Sequence, residues 1–269
     1  MYIVFLVITS LAALYVHSTA GRRSHKGLQA LRGWAYAHRG LHGNGVPENS
    51  MEAFRLAKAA GYGIELDVHL LADGNLAVMH DSALARTTGA RGRIEELTTR
   101  QLDDYCLEGT EQTIPEFRKV LDLFAGEAPI IVELKCVDNN YVALCKAACE
   151  MMDHYHGVYC MESFDPRCIR WLRKHRPDII RGQLSENYLA GNNPKMPFML
   201  KFLLKNHMLN FLTLPDFVAY KFSDRKSIGN WVCRELWNIQ GVTWTLKNQK
   251  EYDIAVKEGW IPIFEGFLP

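Results

Sequence analysis

Short apolar runs alternate with amphipathic stretches along most of this chain. The runs at 34–37, 64–68 and 76–79 read as buried strands, and others follow at 130–135, 158–163, 179–184, 217–222, 242–246 and 261–264. Helical spacing at 51–60, 114–124, 141–152 and 166–174 falls between several of them, with Asn49 or Ser50 as cap for the first. Repetition of β then α implies a parallel sheet. The strand candidates exceed by one the eight that close a barrel, so one is an extra extended segment or a misread helix.

Two parallel architectures suit this pattern, and charge placement separates them. Each of the first three runs carries an ionisable group in it or just after it: His38, then Glu65 and Asp67, then His80. A buried charge is costly unless something compensates it. Charges recurring at consecutive strand tips need a common centre, which a (β/α)8 TIM-type barrel provides at its mouth and an open sheet provides at only one switch point. No Gly-x-Gly-x-x-Gly follows a strand. The stretch at about 82–113 is too long for an ordinary βα loop and reads as a small insertion after the third strand.

The N-terminus departs from the alternation. Residues 2–16 are apolar except for Thr9 and Ser10, and His17, Arg22, Arg23 and Lys26 follow. Ser18-Thr19-Ala20 suits a cleavage site, but no basic region precedes the apolar run as a signal peptide requires. Residues 1–20 therefore read as an uncleaved membrane anchor or transmembrane segment, slightly short of the roughly 17 apolar residues of a span. The basic residues behind it place the rest of the chain in the cytoplasm, at the cell membrane. Residues 21–32 read as a linker, and 33–269 as the barrel domain. The Phe-, Leu-, Met- and Lys-rich stretch at 188–227 suits either a segment lying on a bilayer or a pair of core helices.

Composition narrows the partners. A formal net charge of +1 with scattered basic residues marks no nucleic-acid face. Seven cysteines without a Cys-x-x-Cys pair argue against a disulfide framework. Cys145 and Cys149, one helical turn apart, read as buried helix residues and not as metal ligands.

Residues two apart in a strand share a side, so Glu65 and Asp67 can hold one cation, and Glu133 and Lys135 repeat that spacing. Three carboxylates describe a hard oxygen site for one divalent cation, Mg²⁺ or Ca²⁺. Of the other histidines, His42 falls in a glycine-rich loop, and His69 is read as facing away from Asp67.

Several ordered motifs share one likeness. The segments AHRG at 37–40, PENS at 47–50, IELDVHLLADGNLAVMHD at 64–81 and RTTG at 86–89 resemble the glycerophosphodiester phosphodiesterase family. TIPEF at 113–117, VELK at 132–135, ESFDP at 162–166, GQL at 182–184 and TWTL at 243–246 continue the resemblance in order. It implies a TIM-type barrel hydrolysing glycerophosphodiesters to glycerol 3-phosphate and an alcohol. It also implies Glu65, Asp67 and Glu133 as metal ligands and His38 and His80 as the acid–base pair. Arg39, Lys135 and Trp244 would meet substrate, Arg39 through a two-pronged phosphate contact. A lysophospholipase D acting on membrane lysolipids is the alternative substrate class, and an inactive barrel that only binds a phosphorylated ligand is the alternative outside catalysis. The chain departs from the family at its last strand, where Phe264, Glu265 and Gly266 replace the usual Thr-Asp pair with proline.

Overall fold

A computed structural model describes residues 1–22, 25–191 and 196–269. Among them, nine strands form one sheet: β1 (Tyr36–His38), β2 (Gly63–Leu70), β3 (Leu76–Val78), β4 (Ile130–Leu134), β5 (Tyr159–Ser163), β6 (Arg181–Ser185), β7 (Phe217–Lys221), β8 (Gln240–Leu246) and β9 (Ile261–Phe264). Eight are parallel and close a barrel in the order β1-β2-β4-β5-β6-β7-β8-β9, with β9 returning to β1. The expected (β/α)8 barrel is therefore the fold.

The ninth strand is β3. It runs antiparallel and, among the strands, pairs only with the end of β2, Val68 against Val78 and Leu70 against Leu76, on the edge whose beginning β1 occupies. An antiparallel pair needs only a tight turn, and Leu71–Asn75 supplies it, with Gly74 at φ +85°. The apolar run of β3 is the same length as that of a short barrel strand, so hydrophobicity alone does not distinguish them. His80 thus reaches the mouth from a hairpin arm, not from a barrel strand, and Glu133 lies on the third barrel strand and not the fourth.

Helices α1 (Tyr2–Ser18), α2 (Met51–Ala59), α3 (Ala85–Thr88), α4 (Phe117–Phe124), α5 (Tyr141–Met152), α6 (Pro166–His175), α7 (Phe198–Lys205), α8 (Asn210–Thr213), α9 (Ile228–Trp231) and α10 (Gln249–Lys257) complete the chain. Ser50, not Asn49, caps α2 by accepting from the Ala53 amide. α4 begins only at Phe117, because the segment before it, containing Pro115, is extended and bridges β3. The insertion at 82–113 has its own apolar cluster of Leu84, Ile94 and Leu102 packed on Leu71 and Met79.

Two hydrophobic layers hold the barrel. Outward residues such as Ile64, Leu66, Ile130 and Val132 pack under the helices. Inward residues Tyr36, Ile131, Cys160, Phe217, Val242 and Ile261 fill the interior, each fully buried large side chain being worth about 1.5–3 kcal/mol. Gly182 makes room for Phe217, since a Cβ there would lie 2.0 Å from the ring. Within the expected linker, a 3-10 turn at Lys26–Leu31 buries Leu31 in this interior cluster, and the Tyr36 hydroxyl donates to the Leu31 carbonyl at 2.9 Å.

No described helix is long and apolar enough to cross a membrane. α1 has 17 residues, or about 26 Å against roughly 30 Å of hydrocarbon. Its end packs on the barrel flank, where Trp237 Nε1 donates to the Val16 carbonyl at 2.8 Å, while residues 1–14 are exposed. The 188–227 stretch holds α7 and α8, with Phe198 and Met199 exposed.

Candidate active site

The site arises from strand parity at one end of the barrel. β1 brings His38; β2 brings Glu65 and Asp67; β4 and the residue after it bring Glu133 and Lys135. Their register is shared, with His38 opposite Glu65 and Asp67 opposite Glu133. Five of the expected residues therefore lie in one ring, and oxygens of Glu65, Asp67 and Glu133 fall within 4.8 Å of one another.

Burial makes this ring electrostatically tense. It raises the Glu65 carboxyl well above its ordinary value, with Asp67 and Glu133 adding to the effect, and raises Glu133 to about 7 although Lys135 opposes it. Asp67 goes the other way: the ammonium of Lys135 and the guanidinium of Arg39 outweigh burial and hold it far below the usual carboxylate range. The Lys135 Nζ lies 2.9 Å from Asp67 Oδ1 and 2.8 Å from Glu133 Oε1. Three converging carboxylates with an excess of negative charge fit a hard divalent cation by donor type and spacing.

A strained turn aims Arg39. It has φ +54°, and Gly40 after it has φ +81°, where a Cβ would meet Ala53 at 2.8 Å. The turn lets the Arg39 amide donate to the Glu65 carbonyl at 2.9 Å, while its guanidinium spans Asp67 at 3.4 Å and Glu48 at 2.9 Å. Asn49, also left-handed at φ +54°, donates to Asp67 Oδ2 at 2.9 Å.

Each of the two histidines is held by an acid. His38 Nδ1 pairs with Glu265 Oε2 at 2.6 Å, and His80 Nδ1 with Asp81 Oδ1 at 2.6 Å. A carboxylate at Nδ1 takes that nitrogen's proton contact and leaves Nε2 as the working atom. Lys247 Nζ holds the other oxygen of Glu265 at 2.6 Å, and Arg86 bridges Asp81 and Glu48. Burial lowers both imidazoles below their ordinary value, against the pull of Glu265 on His38 and of Asp67 on His80. Burial alone would raise Glu265, but hydrogen bonds from His38 and Lys247 hold it well below the carboxylate range.

The mouth encloses a cavity of about 240 Å³ lined by His38, Arg39, Glu65, His80 and Glu133 on one side and Glu162, Phe164, Glu186 and Trp244 on the other. Trp244 thus takes its expected place, and its Nε1 is buried without a hydrogen-bond partner among the described residues. His69 corrects its expectation: two residues from Asp67 it shares that side, and the insertion engages it through Glu95 at 2.7 Å.

Sequence reasoning did not single out Glu162, Glu186 or Asp81. Glu162 was legible in principle, because it is in phase with Cys160 in an apolar run and stands opposite Glu133. Burial raises it well above the carboxylate range, with Glu133 adding to the effect. Glu265, noted only as a departure in the closing strand, is the partner of His38.

The glycerophosphoryl diester phosphodiesterase family model matches residues 38–264. A glycerophosphodiester phosphodiesterase of Bacillus altitudinis is 37% identical over 129 residues, 45% of this chain and 52% of the relative. One from Caldanaerobacter subterraneus subsp. tengcongensis is 46% identical over 158 residues, 55% of this chain and 65% of the relative. A Rattus norvegicus lysophospholipase D is 33% identical over 132 residues, 44% of this chain and 40% of the relative. The chain therefore spans about half the length of these curated relatives. Among solved structures, an Oleispira antarctica phosphodiesterase in complex with the product sn-glycerol-3-phosphate superposes with TM-score 0.72 at 19% identity, covering 88% of this chain and 94% of that one. The Thermotoga maritima glycerophosphodiester phosphodiesterase gives TM-score 0.66 at 22% identity, covering 86% and 93%. At these identities the two structures show the shared barrel.

Proposed function

Because the chain belongs to the glycerophosphoryl diester phosphodiesterase family, we propose that it hydrolyses glycerophosphodiesters to glycerol 3-phosphate and an alcohol, using His38 and His80 beside a divalent cation site. The observation that carries this reading is the pair of imidazoles, each fixed at Nδ1 by its own carboxylate, at one mouth with Glu65, Asp67 and Glu133. Hydrolysis forms a P–O bond to the attacking oxygen, which loses a proton, and breaks the P–O bond to the alcohol, whose oxygen gains one. Two positioned imidazoles serve those two transfers, one as base and one as acid. Arg39 and Lys135 meet the phosphoryl oxygens, and Asn49 and Glu48 hold Asp67 and Arg39 in place for it. A cation on Glu65, Asp67 and Glu133, Mg²⁺ or Ca²⁺, supplies Lewis-acid polarisation of the phosphoryl group.

Release of glycerol 3-phosphate from glycerophosphodiesters, assayed with and without chelator, tests the reading. Activity should need a divalent cation, and His38→Ala and His80→Ala should each lower kcat by about 10²-fold or more. Near-native turnover in either variant overturns the assignment.

Lysophospholipids at a membrane surface form a second substrate class, favoured by the exposed apolar residues of α1 and by Phe198 and Met199 of α7. On this reading α1, apolar on every side, anchors the barrel at the cytoplasmic face of the cell membrane. Deleting residues 1–20 should release the protein from the membrane fraction and depress lysophosphatidylcholine hydrolysis more than that of a soluble diester.

A further inference from the structure

A second cluster of ligating groups lies behind His38, on the side turned from the carboxylate ring. The two ring nitrogens of His38 face different acids: Nε2 is 3.8 Å from Glu65 Oε2, and Nδ1 is 2.6 Å from Glu265 Oε2. His42, in the turn after β1, approaches the same Glu265, its Nε2 standing 3.9 Å from Oε1. A nitrogen of each histidine and an oxygen of Glu265 fall within 4.8 Å of one another. Nε2 of His42 is buried and has no hydrogen-bond partner among the described residues. Local backbone sets its position: the Leu41 amide donates to the Ala53 carbonyl of α2 at 2.9 Å, and Gly43 pairs with Val46 to close the turn. The remaining neighbour of Glu265 is Lys247, whose side chain is 55% exposed and so gives way easily.

We propose that His38, His42 and Glu265 form a second metal site, one for Zn²⁺, through which zinc inhibits the enzyme; the inhibition, though not the binding, rests on the phosphodiesterase reading. Two imidazoles and one carboxylate suit Zn²⁺, which takes nitrogen and oxygen in tetrahedral arrays. Mg²⁺ and Ca²⁺ prefer oxygen and belong with Glu65, Asp67 and Glu133. Ligands on a tetrahedral zinc ion stand about 3.3 Å apart, so His42 and Glu265 close in by side-chain rotation as the ion takes the place of Lys247. Zinc on Nδ1 disables His38 in either proton transfer. A neutral imidazole ligated at Nδ1 carries its one proton on Nε2, so no lone pair is left there to accept another. As an acid, the same ring would have to give up that proton and become an anion. Glu265 belongs to the segment in which the chain departs from the family, and without its carboxylate the two histidines lack the third ligand.

Isothermal calorimetry with Zn²⁺ on the full chain, in excess Mg²⁺ to fill the carboxylate ring, should show one zinc ion bound. His42→Ala should weaken that binding by more than about 100-fold, the upper end for loss of a residue that only supports a ligand. Turnover of glycerophosphocholine without zinc should be the same in the variant. With zinc, the unaltered chain should lose activity at a concentration about 100-fold lower than His42→Ala does, and added Mg²⁺ should not restore it. His42→Gln, which fills much the same space without an imidazole, gives the same test should the alanine variant unfold. Equal zinc affinity in the unaltered chain and the His42 variants overturns the site. So does inhibition relieved in proportion to added Mg²⁺, which puts zinc on the carboxylate ring. Absence of turnover on any diester counts against the phosphodiesterase reading instead, and calorimetry then decides the metal site by itself.

Discussion

The floor and the mouth of the barrel are built by the same strands on the same face, two residues apart, and they have opposite chemistry. On β1 Tyr36 is followed by His38, on β4 Ile131 by Glu133, on β5 Cys160 by Glu162, and the inward series of β9, Ile261 and Ile263, ends in Glu265. A displacement of two residues, about 6.6 Å along a strand, converts an apolar layer into a ring of ionisable groups. Stability and chemistry are thus separated along each strand rather than between strands. The barrel accommodates the charged ring because the apolar layer below it supplies the burial that holds the strands in register.

The widest separation should appear when one residue of each layer is changed. Glu133→Gln in the mouth should lower turnover by at least about 10²-fold by weakening the cation site, with the thermal midpoint little altered. Phe217→Ala in the floor should cost about 3–5 kcal/mol in denaturant unfolding, while the folded variant keeps its KM. If the two variants lose stability and activity in parallel, the layers are not separable.

A histidine outside both layers sharpens the contrast. His207 is fully enclosed beside Tyr220, its Nε2 meets Asn230 at 2.8 Å, and burial lowers its pKa to about 4. Its folded pKa lies below the unfolded value of about 6.5, so the unfolded chain binds the extra proton between pH 6.5 and 4. Stability should therefore be complete above about pH 6.5 and fall by up to about 3 kcal/mol on acidification to pH 4. Thermal unfolding across that range should show a smaller decline in His207→Asn. The smallest effect belongs to Glu265→Gln, which leaves a side chain at His38 Nδ1 but not its charge. A kcat lower by about 10-fold with KM nearly unchanged, and partial recovery in Glu265→Asp, is the expected result.

The alternation of apolar runs carried the barrel and the positions of its strands, because inward and outward burial both leave a local mark. It carried His38, His80, Glu65, Asp67, Glu133 and Lys135 as well, since ionisable residues inside buried runs are conspicuous. The antiparallel direction of β3 was not legible, as strand direction depends on a partner and Leu76–Val78 is equally apolar in either sense. Nor was Glu265 as the partner of His38, 227 residues away, because that role depends on a side-chain meeting across elements, whereas Asp81, the partner of His80, is its neighbour in sequence. The apolar run at the N-terminus was legible as one helix, α1, which ends at Ser18.

The sequence by itself determined which residues would be buried and on which side of each strand, for side-chain parity is a property of the local backbone. Closure of the barrel decided the rest. It brought β9 beside β1 and so gave His38 its acid, it left β3 as an arm carrying His80 across the mouth, and it set Phe164, Trp244 and Glu186 opposite the histidines. Those relations join residues far apart in the chain, and only the packing of the whole barrel specifies them.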